Sequence, residues 1–347
     1  MVTLEQARFA RNYVTCLEKG DLAAARSLLL LWSKTYFSDL PACPSRRDLT
    51  NPDLWGCLAQ YASLSGDRSP VDDFWRRLDG VTPHTTATGA IPLLGVPILN
   101  RPDLLQRLLD SLDHPVETLA IVDNSIGSGL ADSDALQRLL ARLERQPPAG
   151  VARVRVARPF VNQGVASSWN AILSSFPEAG FALLVNNDVV FAPGVLAEVV
   201  GRVDPSRPQF LPLLPAPQEF SAFALTPSAW NRVGLFDANF HPAYCEDLDY
   251  AERLRGCPTI EWIAPEALQR RQQQANPVAS ATIASDARLK ACNRTTFLLN
   301  SLWLHSRRRL DQPHRGTWMR RWLSQWDLEA APAPAPEPVG PVGAGRP

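Results

Sequence analysis

The chain has 347 residues, 45% hydrophobic and 20% charged, the composition of a soluble globular protein with material for a large core and, by length, about two domains. Its 35 Lys+Arg balance 35 Asp+Glu, so it lacks the standing positive field that bulk nucleic-acid binding needs. The opening residues lack the apolar core of a signal peptide, no apolar run reaches the length of a membrane span, and the six cysteines form no close C-x-x-C pair, so a reduced, cytoplasmic protein without a zinc or thioredoxin-like motif is expected.

Residues 1–80 are predicted to be helical. Thr3 and Gln6 have capping-box spacing, and Leu4, Ala7, Ala10, Val14 and Leu17 follow at helical spacing. Gly20-Asp21 ends that helix and starts another, with Leu22, Ala25, Leu29, Trp32 and Tyr36 on one face. After a loop with Pro41 and Pro44, a second pair is expected at 52–65 and 70–79, again with Gly-Asp (Gly66-Asp67) between. The arrangement resembles a tetratricopeptide-like helical hairpin repeat, with an irregular helical cap as the equal alternative.

VTPHTTATGA (81–90) reads as a linker, and the pattern then changes. Strands are expected at 91–99, 118–125, 152–160 and 181–185, alternating with helices at 101–112, 132–145 and 164–176. Pro102 suits a first helical turn, and Val165, Trp169, Ile172, Leu173 and Phe176 point inward from the third helix. This alternation predicts a parallel sheet with helices on both faces. A helix follows Pro193, PQFLPLLP and EFSAFALT read as strands of a mixed part of the sheet, and TPSAWNRVG as a short helix. The polar stretch 269–286 is expected to be a surface loop, FLLNSLWLHSRRRL and WMRRWLSQWDL to be helical, and the tail after 330, with six of the 31 prolines, to form no core.

Polar residues cluster at the carboxyl ends of the predicted strands, where open α/β sheets bind ligands. They are Asn100-Arg101, Asp123-Asn124-Ser125, Asn162-Gln163-Gly164 and Asn186-Asn187-Asp188. Each alone could be turn or capping chemistry; four at one edge argue for a site. No G-x-G-x-x-G and no P-loop occurs, which disfavours a usual dinucleotide fold and a P-loop NTPase. Asp188, after a buried strand and beside two amides, can bind Mg²⁺ or Mn²⁺ if diphosphate oxygens and waters complete the shell. Further on, Glu246, Asp247, Asp249 and Glu252 put four carboxylates in seven residues. A solvated acidic helix start is the better reading for Asp249 and Glu252, and Asp247, at the mouth of the helix, is the sharper catalytic candidate.

With these motifs in view, the sequence resembles a GT-A glycosyltransferase of the family 2, rhamnosyltransferase-like kind. The resemblance rests on VPILNRPDLLQRLLDSL, IVDNS, NQGVASSWNAIL, VNNDVVFAPGVL and VGLFDANFHPAYCEDLDYAERL, in that order, and covers about residues 90–260. It implies a GT-A (Rossmann-like) mixed, mostly parallel sheet with helices on both faces, after an all-helical N-terminal region. The implied divisions are a helical region at 1–85, a catalytic domain at 86–270, a helical extension at 271–329 and a Pro-rich tail at 330–347. It implies transfer of a sugar from a nucleotide-sugar donor to a glycan or glycoconjugate acceptor hydroxyl, hexosyltransferase chemistry with inversion, in glycan or polysaccharide biosynthesis. Pro97, Asn100, Arg101, Asp123, Asn124, Asn162, Gly164, Asn170 and Asn187 would bind the donor. Asp188 would hold Mn²⁺ or Mg²⁺, and Asp247, or Glu246, would be the general base. The sequence departs from the family pattern in keeping only the last Asp of the metal motif, and in carrying Gln269, Gln272, Gln273 and Gln274 where a downstream His is usual. An inactive nucleotide-sugar- or glycan-binding scaffold is therefore the alternative, and a helical-repeat interaction protein, with a protein partner for the N-terminal helices, a third reading. Trp318, Trp322 and Trp326, flanked by Arg315, Arg320 and Arg321, suit a helix docked on the catalytic domain or, as the lesser option, a peripheral contact at the inner membrane face.

Overall fold

The computed structural model describes residues 4–41, 44–45, 48–81, 89–126, 133–277, 287–306 and 316–321. They belong to two compact units, Met1–Thr86 and Ala87–Pro347.

The first unit holds α1 (Leu4–Glu18), α2 (Leu22–Ser38), α3 (Pro52–Ser65) and α4 (Ser69–Val81). Their limits follow from capping chemistry. Asp21 accepts a hydrogen bond from the Ala24 amide at 2.9 Å, Asn51 from Leu54 at 3.1 Å, and Gly66 closes α3 in the left-handed region at φ 71°. Asp67 then accepts from the Ser69 amide and from Arg26, tying α2 to the start of α4. The core contains Tyr13, Leu29, Trp32, Leu54, Leu58 and Phe74. Three residues expected on the inward faces are outside it: Ala7, which is exposed, Val14 at 49% exposure and Leu22 at 39%. On α1, Phe9, Tyr13, Cys16 and Leu17 form the inward face instead, because burying the Tyr13 ring removes more apolar surface from water than burying Val14 does.

The second unit is built on seven strands in the order β3-β2-β1-β4-β6-β5-β7. They are β1 (Ile91–Ile98), β2 (Val116–Asp123), β3 (Val151–Ala157), β4 (Ala182–Val185), β5 (Gln209–Pro212), β6 (Ala222–Leu225) and β7 (Glu261–Trp262). β6 pairs antiparallel with both β4 and β5, and every other pairing is parallel. The mixed, mostly parallel α/β sheet expected from the sequence is thus the fold of this unit. Eight successive residues of β1 are buried, as a central strand covered on both faces requires.

One face of the sheet carries α5 (Pro102–Asp110), α6 (Ser133–Arg145) and α8 (Val195–Arg202) over a core including Leu105, Leu140 and Leu196. The other carries α7 (Gly164–Ser175), α9 (Pro227–Val233) and α10 (Glu246–Gly256) over Trp169, Ile172, Phe223 and Tyr250. Gly95 lets α7 settle on β1, since a Cβ there would stand 2.5 Å from Leu184 Cδ2 and 2.8 Å from Ile172 Cγ2.

The stretch expected to be a loop from 269 begins inside a helix, α11 (Glu266–Ala275); residues 278–286 lie outside the described set. Two of its four glutamines are buried and structural, while Gln273 and Gln274 are exposed. Gln269 donates to the Pro212 and Leu214 carbonyls, and Gln272 accepts from Ala192 N and donates to Val190 O. The Val190 and Ala192 backbone groups lie outside any strand, and the Pro212 and Leu214 carbonyls lie at the end of β5 and just after it; buried amide side chains satisfy them. Among the described residues the last long helix is α12 (Ala287–Ser306). Beyond it, residues 316–321 are helical, Gly316 N donates to Asn239 Oδ1 at 2.8 Å, and Met319 is fully buried. Trp318 is 52% exposed; Trp322, Trp326 and the Pro-rich tail lie outside the described residues.

Candidate active site

Strand order fixes where a site can form. The chain steps outward from β1 to β2 to β3, then returns to the other side of β1 with β4, so the connections diverge above the carboxyl ends of β1 and β4. A cavity of about 450 Å³ lies there, walled by Pro97–Leu99 at the end of β1 and Asn186–Asp188 after β4. Asn124, Asn162, Gly164 and Trp169 come from the β2 and β3 side. Segments 217–221 and 242–247 close it, and Asn293 and Thr296 of α12 complete the wall.

Of the residues given a donor-binding, metal or general-base role, Pro97, Asn124, Asn162, Gly164, Asn187, Asp188, Glu246 and Asp247 line this cavity. Four others do not, each for a visible reason. Arg101, in the left-handed region at φ 61°, turns its guanidinium onto Asp103, Nε at 2.8 Å and Nη2 at 2.7 Å. Asp123 is fully buried and accepts from Ser125 N, Ser125 Oγ and Gln137 Nε2. Asn170 spends its amide on the Phe236 backbone, donating to O at 2.8 Å and accepting from N at 2.9 Å. Asn100 is buried, and its carbonyl accepts from Asn187 Nδ2 at 3.3 Å.

Turn chemistry builds the near wall. Asn124 Oδ1 accepts from Gln163 N at 2.9 Å while its Nδ2 donates to Ser168 Oγ at 2.9 Å, joining the end of β2 to the start of α7. Asn162 Oδ1 accepts from Gly164 N at 2.8 Å. Gly164 has φ +77°, and a Cβ on it would lie 2.5 Å from Pro242 O. Glycine therefore lets α7 abut segment 241–242, where Val165 N donates to Pro242 O at 2.8 Å.

That segment leads into α10 through Tyr244 and Cys245, both left-handed at φ 79° and 69°. Glu246 and Asp247 then open the helix. Glu246 is 5% exposed, and its Oε2 has no hydrogen-bond partner. Burial, and then the neighbouring Asp247 charge, hold its pKa well above the usual carboxylate range. Burial also raises Asp247, partly opposed by a hydrogen bond from Leu248 N at 2.8 Å. Asp249, expected on a solvated face, is instead fully buried; its Oδ2 takes Arg253 Nε at 3.0 Å and Nη2 at 2.8 Å. Arg253 sits one turn on, so the charge is paired inside the fold. Glu252 is exposed, as expected.

The charges suit an incoming cation. The cavity wall holds three carboxylates, Asp188, Glu246 and Asp247, and no Lys, Arg or His among its described residues. Yet among the described residues no group of three His, Cys, Asp or Glu side chains could hold a metal ion. One carboxylate with the amides of Asn186 and Asn187 fits a divalent ion that brings diphosphate and water oxygens with it, not one caged by protein alone.

Sequence reasoning missed the 217–221 segment and both α12 residues. A signal existed for α12: Asn293, Thr296 and Asn300 recur at i, i+3 and i+7, a run of uncharged polar side chains along one helix face. Asn300 is fully buried and donates to the Ala243 and Tyr244 carbonyls at 2.8 and 3.0 Å. α12 thus belongs to the compact unit that holds the cavity.

No protein-family model matches the chain, and no curated protein matches it in sequence. Among solved structures it is similar to S. aureus TarS, at 16% identity and TM-score 0.35, over 50% of this chain and 35% of that one. It is similar to residues 1–349 of the same protein at 14% identity and TM-score 0.37, over 65% and 77%. It is also similar to GalNAc-T7, solved with UDP, GalNAc and Mn²⁺, at 10% identity and TM-score 0.42, over 81% and 65%. The chain spans about a third of the length of the first of these, and at such identities no residue role transfers.

Proposed function

We propose that the chain is a glycosyltransferase of the hexosyltransferase type, moving a sugar from a nucleotide-sugar donor to an acceptor hydroxyl with inversion, in glycan or polysaccharide biosynthesis. The observation that carries this reading is the meeting of Asp188, after β4, with Glu246 and Asp247, at the start of α10, in one cavity at the strand crossover.

In this reading Pro97, Asn124, Asn162, Gly164 and Asn187 form the donor wall. Asn100, Asp123 and Asn170 hold that wall in place, through Asn187, Ser125 and Phe236 respectively. Arg101 would reach the donor only by releasing Asp103. Asp247 accepts the acceptor hydroxyl proton as the oxygen attacks the anomeric carbon. The bond from that carbon to the phosphate oxygen breaks, and its electron pair leaves on the diphosphate. Glu246, deeper and harder to ionise, orients the hydroxyl. Asp188, with Asn186 and Asn187, is the seat for Mn²⁺ or Mg²⁺, which when bound would neutralise charge on the diphosphate. The absence of a basic side chain from the described wall supports a need for such a counter-charge.

The single carboxylate of Asn186-Asn187-Asp188 favours one second reading, a non-catalytic nucleotide-sugar- or glycan-binding scaffold. Release of free nucleoside diphosphate from a panel of UDP-, GDP- and dTDP-sugars, with Mn²⁺, Mg²⁺ or EDTA and mixed glycan acceptors, separates the two. Metal-dependent turnover supports the enzyme; binding without turnover supports the scaffold. Peripheral membrane contact stays a proposal for Trp318 and its surroundings; no helix among the described residues is long and apolar enough to cross a membrane.

A further inference from the structure

Four buried polar side-chain atoms in the cavity wall have no hydrogen-bond partner: Thr296 Oγ1, Asn293 Oδ1, Glu246 Oε2 and Trp169 Nε1. Buried polar atoms are almost always satisfied, so four unmet ones around one cavity call for a partner from outside the chain. Thr296 is 2% exposed and Glu246 5%, so neither is merely wetted at the surface.

The unmet set is mixed. Trp169 can only donate, Asn293 Oδ1 can only accept, and the Thr296 hydroxyl can do both. Sugar hydroxyls, each a donor and an acceptor, match it; a phosphate, which offers mainly acceptors, does not. The wall adds carboxylates and no described basic group, which selects against an anionic sugar. The set is also held rigidly. Asn300 bonds the Ala243 and Tyr244 carbonyls, and Phe297 meets the Tyr244 ring edge-on at 6.1 Å, locking α12 to the segment that carries Glu246.

We infer that α12 completes a subsite for a neutral sugar, in which Thr296 and Asn293 hydrogen-bond its hydroxyls beside Glu246 and Asp247. This rests on the glycosyltransferase reading and adds to it the chemical class of the sugar and the residues that recognise it.

The test uses the full chain, wild type, Thr296→Val and Asn293→Leu. The acceptor arm measures binding of methyl glycosides of glucose, galactose, N-acetylgalactosamine and rhamnose, with methyl glucuronide as the charged comparator. The donor arm compares UDP-glucose, UDP-galactose and dTDP-rhamnose with UDP and dTDP alone. Thr296→Val keeps the side-chain shape and removes an unmet hydroxyl, so its melting temperature should equal or exceed wild type. It should nevertheless bind neutral sugars in at least one arm about tenfold more weakly, with UDP or dTDP affinity unchanged. Asn293→Leu, which also removes the side-chain hydrogen bond to Tyr244, should weaken the same arm. The arm affected identifies the sugar as acceptor or donor. Wild-type affinity of both variants for every sugar probe overturns the inference, and if nucleotide sugars still bind, it leaves the function standing. A fall in stability together with an equal fall in UDP affinity overturns it in favour of a structural role. Glucuronide binding as tight as glucoside overturns the neutral class. A wild type that binds glycosides through these residues but no nucleotide sugar keeps the subsite and removes the function. A wild type that binds no probe overturns both.

Discussion

Replacing Gly164 with alanine tests how the cavity is held together. Gly164 has φ +77°, and an added Cβ would meet Pro242 O at 2.5 Å, Pro242 Cα at 2.9 Å and His241 Nδ1 at 3.0 Å. Two of these atoms are backbone and have no rotamer by which to escape. The left-handed conformation alone costs an alanine about 1–2 kcal/mol. Separating the two segments also loses the bond from Val165 N to Pro242 O, 2.8 Å long, for about 1 kcal/mol more. With residual overlap the expected loss is about 2–4 kcal/mol. Gly194→Ala is the matched control, because its φ is +76° but no atom lies within 4 Å of the added Cβ. It should lose only the conformational part, about 1–2 kcal/mol. The two variants should differ by roughly 2–8 °C in melting temperature for a domain of this size. Denaturant unfolding gives the free energies, and calorimetry with a bound nucleotide sugar reads the cavity. Equal stability losses, with nucleotide-sugar binding intact in Gly164→Ala, would refute the close contact as the reason for this glycine.

The remaining expectations concern the carboxylates. Asp247→Asn should leave donor affinity near wild type and lower kcat by about 10²-fold or more, with exposed Glu252→Gln as the silent control on the same helix; an inactive Glu246→Gln beside an active Asp247→Asn would move the base to Glu246. Because burial raises the Asp247 pKa, and the base must be ionised, activity should fall on the acid side at a higher pH than for an ordinary aspartate; a pH–rate profile with the usual aspartate limb contradicts this. Glu246 has a folded pKa above its unfolded value, so its contribution to stability is complete below the unfolded value and is lost as pH rises through the folded one. Glu246→Gln should therefore melt with wild type in acid and above it at alkaline pH, and a variant less stable than wild type at every pH counts against the burial argument. Asp188→Ala should keep the fold but lose the added thermal stabilisation that Mn²⁺ gives in the presence of UDP; an undiminished Mn²⁺ effect removes Asp188 as the metal seat.

The sequence carried the sheet and its flanking helices well because each element there obeys one dominant rule. β1 and β4 are unbroken apolar runs, and α5 and α6 have leucines at strict helical spacing behind a proline or an acidic first turn. Where two rules compete, periodicity failed. On α1 an aromatic displaced the regular Val14 position. At 269–275 polarity suggested a loop, although Gln269 and Gln272 are buried and serve backbone carbonyls. Asp249 looked solvated because its partner Arg253 lies a full turn away. The strand-end half of the site was legible, since polar side chains directly after apolar strands collect at one edge. The α12 half was not, because a helix distant in sequence reaches the cavity only through tertiary packing, and its polar stripe gives no hint of what it faces.

Segment 241–245 shows why the two halves depend on each other. Tyr244 and Cys245 both occupy the left-handed region, at a cost of about 1–2 kcal/mol each for residues with a Cβ. Such a conformation persists only where the surroundings fix it. From one side, Val165 N donates to Pro242 O, and the Gln163 carbonyl accepts from His241 Nδ1 at 3.3 Å. From the other, Asn300 takes the Ala243 and Tyr244 carbonyls, and Cys245 Sγ lies 3.6 Å from Ser301 Oγ. The reversal held this way points the first turn of α10 at the cavity. It brings Glu246 into a place where ionisation is costly, even though a helix start ordinarily favours a carboxylate. The position of the acid pair is therefore set by residues 163–165 and 300–301 more than by its own helix. Releasing either grip should relax the left-handed pair, and with it the raised pKa of Glu246 that the pH dependence of stability reports.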